Sequence, residues 1–490
     1  MTGNETSPTA SATASSSTTP SAEPDPNANR STTPGSERFR DYIASGWAPR
    51  EDVIPAPREQ APFAASRRAK LSAAYPGTHL VIPAGELKQR SNDTEYPFRA
   101  HSAFTWLTGW GSDSEPDAVL VLEPATYGHD ATLYFRERAG RDSDEFYANS
   151  SIGEFWIGPR PSLAQVAGDL GLATRDLSEL SPEDALAAAT PLGDDLARDL
   201  SEMRLVKDAW EIDQMRQAIA ATALGFSDIA RVLPSIAGNH RGERLVESAF
   251  SSRARLEGNG VGYDTIAASG AHACILHWTD NDGTVSNGDL ILIDAGVELD
   301  SYYTADITRT IPVSGTFTPV QRDVYEAVRA AADAAFAIVK PGIQFKDIHA
   351  TAMAVIAEKT AAWGMLPVSV EEAILPDNQH HRRYMVHGTS HHLGLDVHDC
   401  SQARREMYMD GVLEPGMVFT IEPGLYFQPD DLTVPAEFRG IGVRIEDDIL
   451  VTATGAENLS AAIPRTADEV EAWVRPATAA RAAALKKNRR

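Results

Sequence analysis

Residues 289–296 read DLILIDAG, and the fold turns on them. A continuous apolar run closed by a carboxylate reads as a strand buried on both faces. Asp294 at the end of such a strand is costly unless it is paired or bound to metal. A short turn, VELDSYYTA (297–305), returns the chain to Asp306 in ADITRT (305–310), so a hairpin would set two carboxylates side by side. GMVFTIEPGLY (416–426) and GIGVRIEDD (440–448) repeat the device and deliver Glu422 and Glu446 from further strands.

Carboxylates held that close repel one another unless cations lie between them. Histidine completes the set. His387, His391 and His398 fall within HGTSHHLGLDVHD (387–399), and His277 sits in ACILHWTDND (273–282). Oxygen donors plus an imidazole suit a pair of hard or borderline divalent ions. Two ions roughly 3.5–4 Å apart can share a hydroxide and split an amide bond. One imidazole would ligate metal, while others donate to a developing oxyanion or a leaving nitrogen. His380 and His381, in the polar stretch PDNQHHRR, read as structural. His392 adjoins His391 and on a strand would face the other way, which makes it a packing residue.

The composition is that of a soluble globular protein, with 490 residues, 42% apolar and 23% charged, and room for two or three domains. A net charge of −25 argues against nucleic acid, which needs a basic face. No run approaches the roughly 18 apolar residues of a membrane span. Cys274 and Cys400 are the only cysteines, too few for a disulfide framework, and read as small buried residues. The Ser/Thr/Pro-rich start is not a secretory signal, so a cytoplasmic location is expected.

Residues 1–36 lack Val, Leu, Ile, Phe, Tyr and Trp, and are expected to be a disordered tail. Residues 37–200 read as a mixed α/β N-terminal domain, with strands in HLVIPAG, DAVLVLEP and ATLYF and helices in PSLAQVAGDLGL and PEDALAAA. A long helix is expected from Asp208, where D-A-W-E has capping-box spacing, with a core stripe of Ile212, Met215, Ile219, Ala223 and Phe226. It would open a second domain over 201–475, ahead of a basic tail at 476–490. The overall class is α/β, of the α+β kind.

RSNDTEYPFR, FTWLTGW, CILHWTDN, LILIDAG, ADITRT, HGTSHHLGLDVHD, LEPGMVFTIEPGLY and RGIGVRIEDD together resemble the aminopeptidase P family of pita-bread metallopeptidases. The resemblance covers about Arg90 to Leu459. It implies a creatinase-like N-terminal domain before a pita-bread catalytic domain, and a dinuclear centre, usually manganese. It also implies release of the N-terminal residue from peptides with proline second. By that pattern Asp294, Asp306, His391, Glu422 and Glu446 are the metal ligands, with Asp306 and Glu446 bridging. Glu422 is also the general base, and His277, His387 and His398 grip substrate. Arg444 and Tyr426 match family residues near the metals. Asp93 and Trp156 match pocket residues, the tryptophan reaching a neighbouring subunit, which implies a homotetramer.

Three departures stand out. Asp294 and Asp306 are twelve apart, one more than usual in the family, so the turn between them should carry an extra residue. His392 stands where relatives tend to have a large aromatic, a change expected to reshape a pocket wall. Residues 140–200 match poorly. The alternatives are a prolidase, which would take Xaa-Pro dipeptides, and an inactive pita-bread binding module, which would be expected to have lost ligands. A methionine aminopeptidase fits less well, having no need of the extra N-terminal domain.

Overall fold

The computed structural model describes residues 32–92 and 94–475, so residues 1–31 of the tail expected at 1–36, and the whole tail expected at 476–490, lie outside the described residues. The described chain forms two compact units. The smaller draws on residues up to Pro49, on Leu87–Pro97 and on Ala139–Arg160. Its helix Glu37–Ala44 is capped by Ser36, and its short helix Glu154–Ile157 ends at Gly158. Trp47, Phe146 and Phe155 stack edge to face within it.

The larger unit contains both a four-stranded sheet and the acidic strands. In the sheet, Leu80–Pro83, Val119–Pro124 and His129–Phe135 are antiparallel neighbours, and Ala173–Asp176 joins in parallel. Helices Leu163–Leu170 and Pro182–Ala188 fall where their periodicity puts them. The long helix is Ala209–Ile236, and Asp208 caps it reciprocally with Glu211. Met215, Ile219 and Phe226 are buried, with Ile212 and Ala223 half-buried beside them. By length and composition this helix could cross a membrane, contrary to the sequence expectation, but 56% of its most apolar window is buried inside the protein, as suits a core helix.

From that helix onward the element order runs twice. Ala209–Ile236 and Gly242–Glu257 precede the sheet Ile266–Ser269, Leu290–Ala295, Ile307–Pro312. Pro319–Ile338 and Phe345–Ala362 precede the sheet Val418–Ile421, Asp447–Val451, Ala456–Asn458. The sheets meet where Glu446 N–H donates to the Thr308 carbonyl at 3.1 Å and Thr310 Oγ1 donates to the Arg444 carbonyl at 3.0 Å. Behind the join, the fully buried Arg309 donates to the Glu446 carbonyl at 2.7 Å and pairs with Asp447 at 2.7 Å.

The expected boundary at 200/201 falls inside the helix Asp194–Arg204. One hydrophobic cluster mixes Leu107, Leu120 and Phe135 from before it with Tyr302, Tyr303, Leu393 and Val418 from after it. Charges cross the same region. Lys207 Nζ lies 3.0 Å from Asp399, and Arg204 pairs with both Asp396, at 2.9 Å, and Asp399. Arg99 donates to the Leu395 carbonyl at 2.6 Å and pairs with Glu298 at 2.9 Å. The segment 394–400, which carries His398, is therefore clamped from the N-terminal side. Burial alone would raise the Asp399 pKa, but Arg204 and Lys207 outweigh it and hold the carboxyl well below its usual range.

Removing one partner of a buried ion pair strands the other. Lys207→Met is expected to lower unfolding stability by roughly 3 kcal/mol, measured by urea denaturation of the whole chain. The folded Asp399 pKa is depressed, so its contribution is present above the unfolded carboxyl range and is lost as pH falls. The gap between variant and parent is therefore expected to narrow in acid.

Candidate metal centre

Asp294 sits on the central strand of its sheet, paired with Ile266 on one side and Thr308 on the other. The hairpin then returns the chain to Asp306, just ahead of Ile307–Pro312. The strands pass so closely that a Cβ on Gly296 would lie 1.6 Å from the Ala305 carbonyl oxygen, so only glycine fits there. Within the turn, Tyr302 is a buried residue held at φ 69° beneath the Arg99 guanidinium.

Glu422 follows Val418–Ile421. Glu446 lies in the break between Gly442–Arg444 and Asp447–Val451, not within one continuous strand. His391 runs beside Val418–Ile421, its carbonyl accepting from Thr420 N–H at 2.9 Å. These elements bring all five expected ligands to the wall of one cavity of about 730 Å³, together with His277, His387, His398 and Arg444. Donor atoms of Asp306, His391 and Glu446 lie within 4.8 Å of one another. His391 Nε2 is 3.2 Å from Asp306 Oδ2 and 3.6 Å from Glu422 Oε1.

Neighbours fix the carboxylates in place. Thr308 Oγ1 donates to Glu446 at 2.7 Å, and Arg444 Nη2 meets Asp294 at 2.5 Å. Asp448 accepts from Asp306 N–H at 3.2 Å. The Tyr263 hydroxyl reaches Asp294 at 2.6 Å and also Asp306. It has one proton to offer two carboxylates. Burial, reinforced by Asp306, Glu422 and Asp294, drives the Glu446 carboxyl well above its ordinary range. Burial, and then Asp294, raises Asp306. Glu422 is pushed up to about 7, chiefly by burial, against the pull of His391 and Arg444. Burial alone would lower His391, but Asp306 and Glu422 outweigh it and lift the imidazole to about 9. Oxygen donors that cannot all be ionised without a cation, plus an imidazole, fit a pair of divalent ions.

His387 Nδ1–H donates to the Gly388 carbonyl at 2.6 Å, so its Nε2 accepts from Tyr426 OH at 2.8 Å, which in turn accepts from Arg444 at 3.1 Å. Burial, and then Arg444, lowers His387 to about 3, so it is neutral. His398 stands edge-on to His391, ring centroids 4.4 Å apart. Among the described residues, no hydrogen bond engages the ring nitrogens of His398 or His277.

His392 does not itself line the cavity. It is 1% exposed and stacks on Phe345 behind the wall, because adjacent residues of an extended segment face opposite ways. His381 Nδ1–H donates to the Ala373 carbonyl at 3.1 Å and is structural, and both cysteines are buried. Trp156 belongs to the small unit, 58% exposed, its Nε1 donating to the Tyr147 carbonyl at 2.8 Å. Asp93 lies outside the described residues. Sequence reasoning missed Tyr263, Thr308 and Asp448. Strand alternation from Asp306 points to Thr308, whereas nothing local marks Tyr263.

The profile of metallopeptidase family M24 matches residues 213–453, and that of the aminopeptidase P N-terminal domain matches 64–188. The chain belongs to the aminopeptidase P branch of metallopeptidase family M24. It is 51% identical over 453 residues to Xaa-Pro aminopeptidase 2 of Streptomyces coelicolor, covering 88% of this chain and 95% of that protein. It is 34% identical over 447 residues to the Xaa-Pro aminopeptidase of Escherichia coli, covering 84% and 96%. Among solved structures, a substrate complex of an Escherichia coli aminopeptidase P variant aligns with TM-score 0.73 at 31% identity, covering 87% of this chain and 99% of that one. A zinc-substituted product complex of the same enzyme aligns with TM-score 0.72 at 32% identity, covering 85% and 98%.

Raised carboxyl and imidazole pKa values stabilise the metal-free fold below the unfolded pKa, and that stability is lost as pH rises through the folded value. The melting temperature of chelated protein is therefore expected to fall as pH rises through about 7, where Glu422 ionises. Added divalent ions are expected to restore it most at the alkaline end, as scanning fluorimetry would read.

Proposed function

We propose that this chain is an Xaa-Pro aminopeptidase that hydrolyses the first peptide bond of substrates with proline in the second position. The observation that carries the reading is the single cavity lined by five metal-ligating side chains, three further histidines and Arg444. The printed names of the relatives support the same activity. Asp294, Asp306, His391, Glu422 and Glu446 would hold two divalent ions, with manganese the proposed metal. When bound, such ions polarise the scissile carbonyl and lower the pKa of water.

The chain's own groups do the rest. Glu422, a carboxylate on the wall of the same cavity, accepts a proton from the attacking water and so acts as general base. Oxygen adds to the carbonyl carbon, the carbon–nitrogen bond breaks, and the proline nitrogen leaves with a proton. That nitrogen is part of a tertiary amide with no N–H of its own, so it needs a donor in the cavity. His387 is committed to Gly388 and Tyr426, which leaves His398 and His277 as the available imidazoles. A ring N–H on either suits hydrogen bonding to the tetrahedral state. Arg444 and Tyr426 keep Asp294 and His387 in place.

The remaining proposals concern setting and assembly. The net charge of −25 and the expected cytoplasmic location fit a protein that binds peptides and neither nucleic acid nor membrane. A homotetramer is supported by Phe155, Trp156 and Ile157, three consecutive apolar residues of the small unit exposed by 61%, 58% and 55%.

Replacing the second-position proline by alanine is expected to reduce kcat/KM by on the order of 10²-fold, about 3 kcal/mol of transition-state binding. Equal rates on both peptides would make the enzyme a general aminopeptidase, and a preference for Xaa-Pro dipeptides would make it a prolidase. His398→Ala is expected to lower kcat more than it raises KM. Asp306→Ala is expected to lose at least one metal equivalent by elemental analysis and nearly all turnover.

A further inference from the structure

A second cavity, of about 840 Å³, opens in the N-terminal part of the larger unit, away from the acidic strands. One wall is a face of the helix Ala61–Ala74, where Ala65, Arg68, Ala69 and Ser72 follow one another at helical spacing. The opposite wall is the hairpin joining Val119–Pro124 to His129–Phe135, and Leu172 closes the floor. Ser72 and His129 tie the walls together at 2.8 Å, and His129 Nε2 reaches the Thr78 carbonyl at 2.6 Å.

Arg68 is the unusual group. It is only 9% exposed, and it lines the cavity. Its one hydrogen bond among the described residues runs from Nη1 to the Leu107 carbonyl at 2.7 Å, leaving Nε and Nη2 without a partner there. Every other buried arginine among the described residues meets a carboxylate. Arg67 has Asp208 at 2.8 Å, Arg160 has Glu145 at 3.5 Å and Arg204 has Asp396 at 2.9 Å. Arg309 has Asp447 at 2.7 Å and Arg444 has Asp294 at 2.5 Å. Arg68 has none.

A buried cation without a counter-charge is costly, and a guanidinium presents paired donors suited to a carboxylate or phosphate. We propose that this cavity is a second binding site, which takes a small oxyanion on Arg68 and the apolar portion of the same ligand against Leu172 and the alanine face. Burial pushes the Arg68 guanidinium down to about 10 with no acid to offset it, which leaves it charged at neutral pH and short of a partner. No catalytic side chain lines this cavity, so occupancy and peptide hydrolysis are separable.

The test is isothermal titration calorimetry on the full, metal-loaded chain, with hexanoate and inorganic phosphate as separate probes. Saturable binding of at least one is expected. Hexanoate alone would assign an apolar carboxylate and phosphate alone a phosphoryl ligand, both within the proposal. Arg68→Gln, which keeps a donor for Leu107 but removes the charge, is expected to weaken binding at least about tenfold. Ala69→Phe, which fills the cavity, is expected to abolish binding with turnover on an Xaa-Pro peptide unchanged. If Arg68→Gln does not fold, Ala69→Phe decides alone. Absence of binding by the parent chain, or undiminished binding by a folded variant, would overturn the proposal.

Discussion

Four carboxyl groups are forced into one buried cavity with too little positive charge to neutralise them. Asp294, Asp306, Glu422 and Glu446 reach it from or beside different strands, with Arg444 holding Asp294 and Thr308 holding Glu446. The repulsion is carried by the architecture: the paired sheets, the join at Thr308 and Glu446, and Arg309 behind them hold the acids together. Protons or divalent cations must supply the missing charge. That requirement links the fold to hydrolytic chemistry, since the cations that relieve the strain are also those that activate water.

The histidines divide by how they are bonded. His391 is drawn into the carboxylates and His387 is locked between Gly388 and Tyr426, so neither is free to follow a substrate. His398 is held by its segment, which Arg204, Lys207 and Arg99 clamp from the N-terminal side. The N-terminal part thus helps to shape the site from beneath, through buried charge.

Much of this was legible in the sequence because it rests on short-range patterns. DLILIDAG gave away a doubly buried strand, D-A-W-E gave away a helix start, and the acid-terminated strands did converge. Tyr263 was invisible, since a tyrosine in a glycine-rich stretch carries no periodic signal and its meaning depends on long-range register. The segregation of residues 32–49, 87–97 and 139–160 was hidden for a similar reason, because three distant segments cooperate. His392 was placed correctly as packing by strand alternation. Its ring lies against Phe345 and against Tyr408, and of these Tyr408 lines the cavity, so the wall meets His392 only through that tyrosine.

The shared hydrophobic cluster has a consequence for how such proteins can be cut and recombined. Tyr302, Tyr303, Leu393 and Val418 find part of their cover on residues that precede the long helix. Excising the chain at that helix would turn a core into a wet surface beneath the segment bearing His398. The N-terminal part is therefore no detachable module, and recombination between relatives would have to carry both sides of this seam together.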